Sequence, residues 1–470
     1  MEELNRMNEL SGMEELNRTK KPQPKGRISF TLPEIEKFTL DNGLEVLFVK
    51  KERLPIIQLS LIIDAGSRFD PNEKKGLSIL VSSLLDEGAG GLGSLELSNA
   101  IESLGSVLSV SSDPDAMFIS LLSLSETFDK SLDLYSKVIT KPHLAEEDMQ
   151  REKRKQINRI IQAKDDAGYI ASVLFEKLVY TVHSPYGLPE MGLTETVEKI
   201  SSNDIRLFYE TLITPQNSTL IVVGSIDKEI LRHKLNIALL GWHTHMKPII
   251  SVHNPPREKT RLYFVQKEGA AQSEIRIGHL TEGRNKPDFF ARALMNSILG
   301  GQFSSRINLN LREDKGYTYG AHSGFNYNKV NGYFYVSAPV KTENTKESII
   351  EILKELKGIQ VYISEKELKF AKSSQVRKFP ALFETYGQIG RSLANMIIYC
   401  LPDDYFNTFL DNIKKVTLEE AYEAAHNYII PDELVIMVVG DREAVKPQLE
   451  ALNLGSITEL DRDGNVIGTV

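Results

Sequence analysis

The feature that most limits what this chain can fold into is an internal repeat. "PQNSTLIVVG" holds Pro215, Val222, Val223 and Gly224, and "PDELVIMVVG" holds Pro431, Val438, Val439 and Gly440, each 216 positions later. The same offset sets Phe48, Val49 and Lys51 of "LFVKK" on Phe264, Val265 and Lys267 of "YFVQK". It also sets Ser201 of "ISSNDI" on Thr417 of "VTLEEA", two residue types that cap helix N-termini. Separate stretches agreeing on one offset read as a duplication, so the chain should build one structural plan twice. Its 470 residues also exceed what one ordinary core supports.

Each copy reads as strand, strand, helices, strands, long helices and a last strand. "LEVLFVKK", "IIQLSLIIDAG" and "DAMFISLLSL" are strand-type runs, whereas "AEEDMQREKRKQINRIIQAK" is a long charged helix. Strands mixed with helices, without regular βαβ alternation, predict an α+β protein. The expected form is two homologous domains, each a mostly antiparallel sheet packed with helices, facing each other across a cleft. Residues 31–245 and 263–470 are assigned to the domains, and 246–262, overlapping the Pro- and His-rich "GWHTHMKPIISVHNPPREK", to a linker acting as hinge. A cleft between duplicated domains is a natural substrate site. Residues 1–30, in which "MEELNR" occurs twice, read as a polar, weakly ordered arm without the apolar stretch of a signal peptide.

Composition narrows the function classes. A net charge of -8 without clustered Lys and Arg gives no nucleic-acid groove and no polybasic membrane surface. The single cysteine, Cys400, excludes an intrachain disulfide and a Cys-based zinc cluster. No apolar run approaches the roughly 18 residues of a membrane span. The sequence does not separate cytoplasm from periplasm: it is cytoplasmic as written, periplasmic if a native leader was removed.

"GLSILVSSLLDEG" predicts a short helix that opens at Gly76 and stops at Gly88, with Leu77, Leu80 and Leu84 on one face. Its polar positions hold only serines. A helix that follows the strand ending "DAGSR" and carries no acid, base or metal ligand is, on its residues alone, a plain core helix.

Four stretches together resemble the pitrilysin-like zinc peptidases, family M16, in the two-domain branch with the mitochondrial processing peptidase subunits. They are "FTLDNGLEVLFVKKERLPIIQLSLIIDAGSRFDP", "SPYGLPEMG", "GAAQSEIRIGH" and "ILGGQFSSRINLNLREDKGYTYGAHSGF". The resemblance implies a zinc motif, His-x-x-Glu-His, on the helix after "AGSR". Histidines at i and i+4 share a helix face and can both bind zinc, and the glutamate activates a metal-bound water whose pKa falls to about 7. Here those positions fall at Ile79, Ser82 and Ser83, and the position of the third ligand, a glutamate in the family, falls near Arg159. None of these is an adequate ligand or base, so this resembles the catalytic helix with its chemistry absent. The family's substrate-holding arginine and tyrosine, seven residues apart, match Arg312 and Tyr319 of "LREDKGYTY". Gly300 and Gly301 of "GGQFSSR" match the place where zinc-free processing-peptidase subunits carry a glycine-rich loop.

Each assignment has a plainer reading: Arg312 as a surface arginine, Tyr319 as a half-buried strand tyrosine, and Gly300 and Gly301 as a helix C-cap and turn. "HTH", His243 to His245, could offer two imidazoles to a metal but lacks a carboxylate partner. His279 and His322 read as structural histidines, and "QREKRKQINR", with Glu152 and Arg154, as a solvated helix face. Neither Ser82 nor Ser83 sits in a G-x-S-x-G elbow. The expectation is a non-catalytic, substrate-binding subunit of a heterodimeric zinc peptidase. It holds no cofactor itself, pairs with a homologous M16 subunit that carries His-x-x-Glu-His and zinc, and contacts an extended peptide. An inert structural or binding protein of the same fold is the alternative, and an independent hydrolase a third reading.

Overall fold

A computed structural model describes residues 19, 31–243, 252, 255–256 and 258–469. The assigned linker, 246–262, falls mostly outside the described residues, as does nearly all of the arm. In the first half, strands β1 (Glu36–Thr39), β2 (Glu45–Lys50) and β3 (Ile56–Ile63) precede a small hairpin of β4 (Gly88–Ala89) and β5 (Leu92–Gly93). Strands β6 (Val107–Ser112), β7 (Met117–Leu124) and β8 (Ser218–Gly224) complete a sheet in the order β1-β2-β8-β3-β7-β6. The second half supplies β9 (Arg261–Gln266), β10 (Gln272–Glu282), β11 (His322–Tyr327), β12 (Asn331–Lys341), β13 (Val435–Gly440), β14 (Ile457–Leu460) and β15 (Val466–Thr469). Their order is β11-β12-β10-β13-β9-β14-β15.

The duplication is visible in the ladders. β2-β8-β3-β7-β6 has the same order as β9-β13-β10-β12-β11. β2 and β8 run parallel with Phe48 opposite Val222, and β9 and β13 run parallel with Phe264 opposite Val438. The antiparallel neighbours repeat it: Leu59 faces Val222 and Ile275 faces Val438. Because side chains alternate across a strand, a slip of one residue would turn every apolar side chain away from its core, so the repeated residues fix one register in both halves. Ser201 and Thr417 each accept from the backbone N–H three residues on and close a capping box, with Asp204 and Glu420. The second half continues beyond its expected last strand: a helix, Arg442–Glu450, leads into the β14–β15 hairpin, which widens the sheet beside β9.

The helices that position the site are α1 (Leu77–Leu84), α2 (Glu146–Ala163), α3 (Ala167–Tyr180), α4 (Phe289–Leu299) and α5 (Tyr386–Ile398). Each half has its own apolar core, and a third core joins them. In that third core α3 of the first half lies on β10 and β13 of the second, burying Ile170, Leu174 and Phe175 against Tyr263, Val265, Met437 and Val439. Reciprocally, α5 lies on β3 and β8 of the first half. Its Tyr386 hydroxyl donates to Lys51 O at 3.0 Å and accepts from Leu54 N at 3.1 Å. The halves therefore interlock by exchanging a helix, and residues 32–470 form one unit. Among the described residues no helix is long and apolar enough to cross a membrane.

Candidate functional site

Helix α1 begins at Gly76, whose φ of +98° is a left-handed conformation; a Cβ there would stand 2.6 Å from Met191 O. The buried Asp70 carboxylate accepts from Gly76 N at 3.0 Å and Ser78 N at 2.9 Å, satisfying N–H groups that the first turn leaves unpaired. Burial lifts this carboxyl to about 7 against the opposing pull of Lys75 and those two N–H groups. The buried Lys75 ammonium donates to Ser67 O at 2.6 Å and Pro185 O at 2.8 Å, tying α1 to "DAGSR" and "SPYGLPEMG".

Leu77, Leu80, Val81 and Leu84 face the core. Ser82 Oγ donates to Ile79 O at 2.8 Å and Ser83 Oγ to Leu80 O at 2.9 Å, so both hydroxyls are spent on their own helix. Helix α2 packs alongside, its Gln156 amide donating to Gly76 O at 3.0 Å and Met191 O at 2.8 Å. Arg159 is exposed. The charge run on α2, expected from sequence to be a solvated face, is partly buried. Glu152 is buried, with its charge met by Lys155 at 2.6 Å and Arg151 at 3.4 Å. Residues of this kind do not fit zinc: isoleucine has no lone pair to give, the serine oxygens lie against the helix, and a guanidinium repels the cation. Among the described residues no three His, Cys, Asp or Glu side chains are grouped to hold a metal. Elemental analysis of the purified chain should find no stoichiometric zinc between α1 and α2; about one zinc per chain at that place would contradict this.

Across the chain, α4 ends at Gly300, whose N–H bonds Asn296 O at 2.9 Å. A Cβ on Gly300 would lie 2.3 Å from Ser323 Oγ, and one on Gly301 2.9 Å from Asn296 Nδ2. Both glycines thus let the C-terminus of α4 close against β11, where Ser323 Oγ donates to Asn296 Oδ1 at 2.7 Å. This is the cap-and-turn arrangement. The chain then enters a helical turn, Arg306–Asn308, that widens into a π-helical segment, Leu309–Asp314, carrying Arg312. Such segments are uncommon and frequent at functional sites.

Arg312 stacks on Phe303, its guanidinium carbon 4.4 Å from the ring centroid. Its Nη1 lies 3.0 Å from Glu313 Oε1 but out of hydrogen-bond alignment, leaving that buried donor unmet. Tyr319 is neither in a strand nor half-buried: it is 92% exposed on the loop between Gly316 and β11. Among the described residues no hydrogen bond joins Arg312 to Tyr319.

The turn is anchored at its base by Arg306, which grips Glu367 with Nε at 2.7 Å and Nη2 at 2.9 Å and also bonds Tyr362 O at 2.9 Å. Partial burial pushes the Glu367 carboxyl up, but hydrogen bonds from Arg306 and Ser364 outweigh it and hold the group at about 2. Its pKa is depressed from an ordinary 4.5, so its stabilising contribution is complete above about 4.5 and vanishes as pH falls toward about 2. Glu367→Gln should therefore flatten the dependence of unfolding midpoint on pH within that window; an unchanged slope would show that the pair does not anchor the turn.

Phe303, 70% exposed under Arg312, was not singled out from sequence, although an exposed aromatic after "GGQ" is a usable signal. The charge network at the seam was missed as well. Arg68 bonds Asp64 and lies 3.6 Å from Asp115. From the second half, Lys329 Nζ reaches Asp64 at 2.8 Å and its backbone N–H reaches Asp115 at 2.8 Å. Asp64, Asp115 and Lys329 border a cavity of about 310 Å³ between the halves. "DAGSR" thus serves the seam. Of the histidines, His245 lies outside the described residues, whereas His279 is satisfied by Leu280 O at 3.0 Å and Ile430 N at 3.2 Å. His322 packs edge-on against Tyr335, and burial, with Arg276 nearby, lowers its pKa.

Known proteins share this plan. A family model described as Insulinase (Peptidase family M16) matches residues 45–189, and one described as Peptidase M16 inactive domain matches residues 199–375. The non-peptidase homolog YmxG of Helicobacter pylori is 22% identical over 410 residues, covering 85% of this chain and 93% of that protein. Zinc protease PqqE of the same organism is 23% identical over 396 residues, covering 81% and 88%. The crystal structure of a peptidase M16 inactive domain from Pseudomonas fluorescens superposes with a TM-score of 0.81 at 24% identity, over 87% of this chain and 98% of that one. The two M16 models together span most of residues 45–375, so the chain belongs to peptidase family M16.

Proposed function

We propose that the chain is a non-catalytic, substrate-binding subunit of a heterodimeric M16 zinc peptidase, completing the peptide cleft of a homologous partner that carries His-x-x-Glu-His and the zinc. The carrying observation is an asymmetry between two sites. On α1 and α2 every ligand position is taken by a residue that packs, bonds its own helix or repels a cation. On the π-helical turn, Arg312 is pre-oriented by Phe303 with its side chain still 32% exposed, as suits a residue that holds a peptide carbonyl or carboxylate. Tyr319 offers its hydroxyl to solvent nearby in sequence. The two Helicobacter pylori relatives, one named a zinc protease and one a non-peptidase homolog, come from one organism, which is the combination a pair of this kind needs.

An extended peptide would dock by adding a strand to a sheet edge, which takes only backbone hydrogen bonds. β6 is such an edge: among the described residues it pairs with β7 alone, and it packs beside α1. A second reading, a structural or binding protein of the same fold, is favoured by Gly300 and Gly301, whose close approach to Ser323 and Asn296 accounts for them without a ligand. The isolated chain should cleave no peptide, and activity should appear only when a zinc-bearing M16 partner is added. Chelator-sensitive proteolysis by a homogeneous sample free of any partner would overturn the assignment.

A further inference from the structure

A second cavity in the seam, of about 270 Å³, is used by none of the chemistry above. One face of α3 supplies Tyr169, Glu176 and Tyr180; "SPYGLPEMG" supplies Tyr186 and Glu190; and β12 of the other half supplies Tyr333. The aromatic wall is continuous, with Tyr180 5.7 Å from both Tyr186 and Tyr333, centroid to centroid. Glu176 accepts from the Tyr333 hydroxyl at 2.5 Å through Oε1, and Tyr333 in turn accepts from Asn326 Nδ2 at 2.8 Å, so the carboxylate is held in place. Burial raises the Glu176 pKa against the opposing Tyr333 bond, the mark of a carboxylate short of solvation. Glu190 reaches solvent at the rim, and partial burial of its carboxyl, with Asp113 and Glu176 nearby, lifts it to about 7 against the pull of Lys75, so it is a counter-charge above that pH. Among the described residues no lysine or arginine lines the cavity, and the Lys75 ammonium behind its wall is spent on the Ser67 and Pro185 carbonyls, at 2.6 and 2.8 Å.

A space with charge of one sign and aromatic walls is complementary to an organic cation, which gains from both the carboxylates and the ring faces. A hard metal ion is poorly served, since two carboxylates fall short of the six or more oxygens it takes. We infer that this seam cavity binds a primary alkylammonium group on an aliphatic stem, with Glu176 as the inner counter-charge, Glu190 as the outer one, and the tyrosines as the wall along the stem. The ammonium comes either from a free amine or from a lysine side chain. The site is independent of Arg312, Tyr319 and any zinc-bearing partner.

The test is calorimetric titration of the full chain with n-butylammonium chloride, with N-acetyl-lysine methylamide, and with n-butanol and sodium chloride as controls. Saturable one-to-one binding of n-butylammonium, and none of n-butanol, is expected. Glu176→Gln and Glu190→Gln should each weaken it roughly tenfold. Equal binding of the blocked lysine would support a peptide side chain as the source; binding of the amine without the blocked lysine would support a free amine. Glu190→Gln, at an exposed rim, leaves packing intact and keeps the test decisive if Glu176→Gln disturbs the seam. The inference falls if neither cation binds saturably, if n-butanol binds as well as the amine, or if the folded variants bind with wild-type affinity.

Discussion

Arg312→Ala is expected to lower kcat/KM of the reconstituted pair by roughly 10²–10³, the usual cost of removing one donor to a developing oxyanion or its peptide. The side chain touches Phe303 and Glu313 at the surface rather than a core, so the substitution should leave folding, assembly and the partner's zinc unchanged. Tyr319→Phe isolates the second group. At 92% exposure its hydroxyl supports nothing in the fold, and any loss of rate must come from contact with substrate. If Arg312 holds the peptide in both ground and transition states, its loss appears in KM; if Tyr319 steadies the oxyanion, its loss appears in kcat. Activity of the pair is measured with each variant, alongside zinc content and complex size. Wild-type rates from both variants would remove the composite cleft and leave the structural-protein reading.

The helix itself was legible because its signals are local: Leu77, Leu80 and Leu84 share one face between Gly76 and Gly88, whereas the match of Ile79, Ser82 and Ser83 to the zinc-motif positions rests on the family resemblance. The register was legible for a related reason, since Phe48, Val222 and their copies repeat an alternation that only one strand pairing satisfies. What could not be read was long-range. "AGYIASVLFEKLVY" shows an apolar helix, but nothing in its periodicity says that α3 covers the other half's sheet. Glu152 looks solvated among its charged neighbours in sequence, and only tertiary packing buries it. The spacing of Arg312 and Tyr319 was clear while their geometry was not, because a π-helical turn and the left-handed Gly316, φ +67°, intervene. The strands of the β14–β15 hairpin are only four residues each and flank "DRDG", a turn signal that hides them.

The largest expected loss of stability is at Arg292 on α4. It is fully buried. Its guanidinium lies 4.1 Å from the Tyr428 ring centroid, 5.3 Å from Tyr327 and 5.7 Å from Phe325. Nη1 and Nη2 donate to Glu282 O at 3.3 Å and Gly283 O at 3.4 Å, Asp288 stands 3.8 Å away, and Nε has no acceptor. A buried cation so lightly paired persists only if the rings and carbonyls offset its lost hydration. Arg292→Ala should cost about 3–5 kcal/mol, the range for emptying a large core site, seen as a lower urea midpoint. Arg292→Met separates volume from charge. It keeps the aliphatic bulk and leaves the Glu282 and Gly283 carbonyls without that donor, so about 1–3 kcal/mol should still be lost. A methionine variant as stable as wild type would mean that packing, and not the aromatic box around a charge, holds α4. Because α4 ends at Gly300, which seats the turn bearing Phe303 and Arg312, the alanine variant should also weaken peptide cleavage by the pair under conditions where it is still folded. A folded alanine variant with full activity would separate this box from the turn.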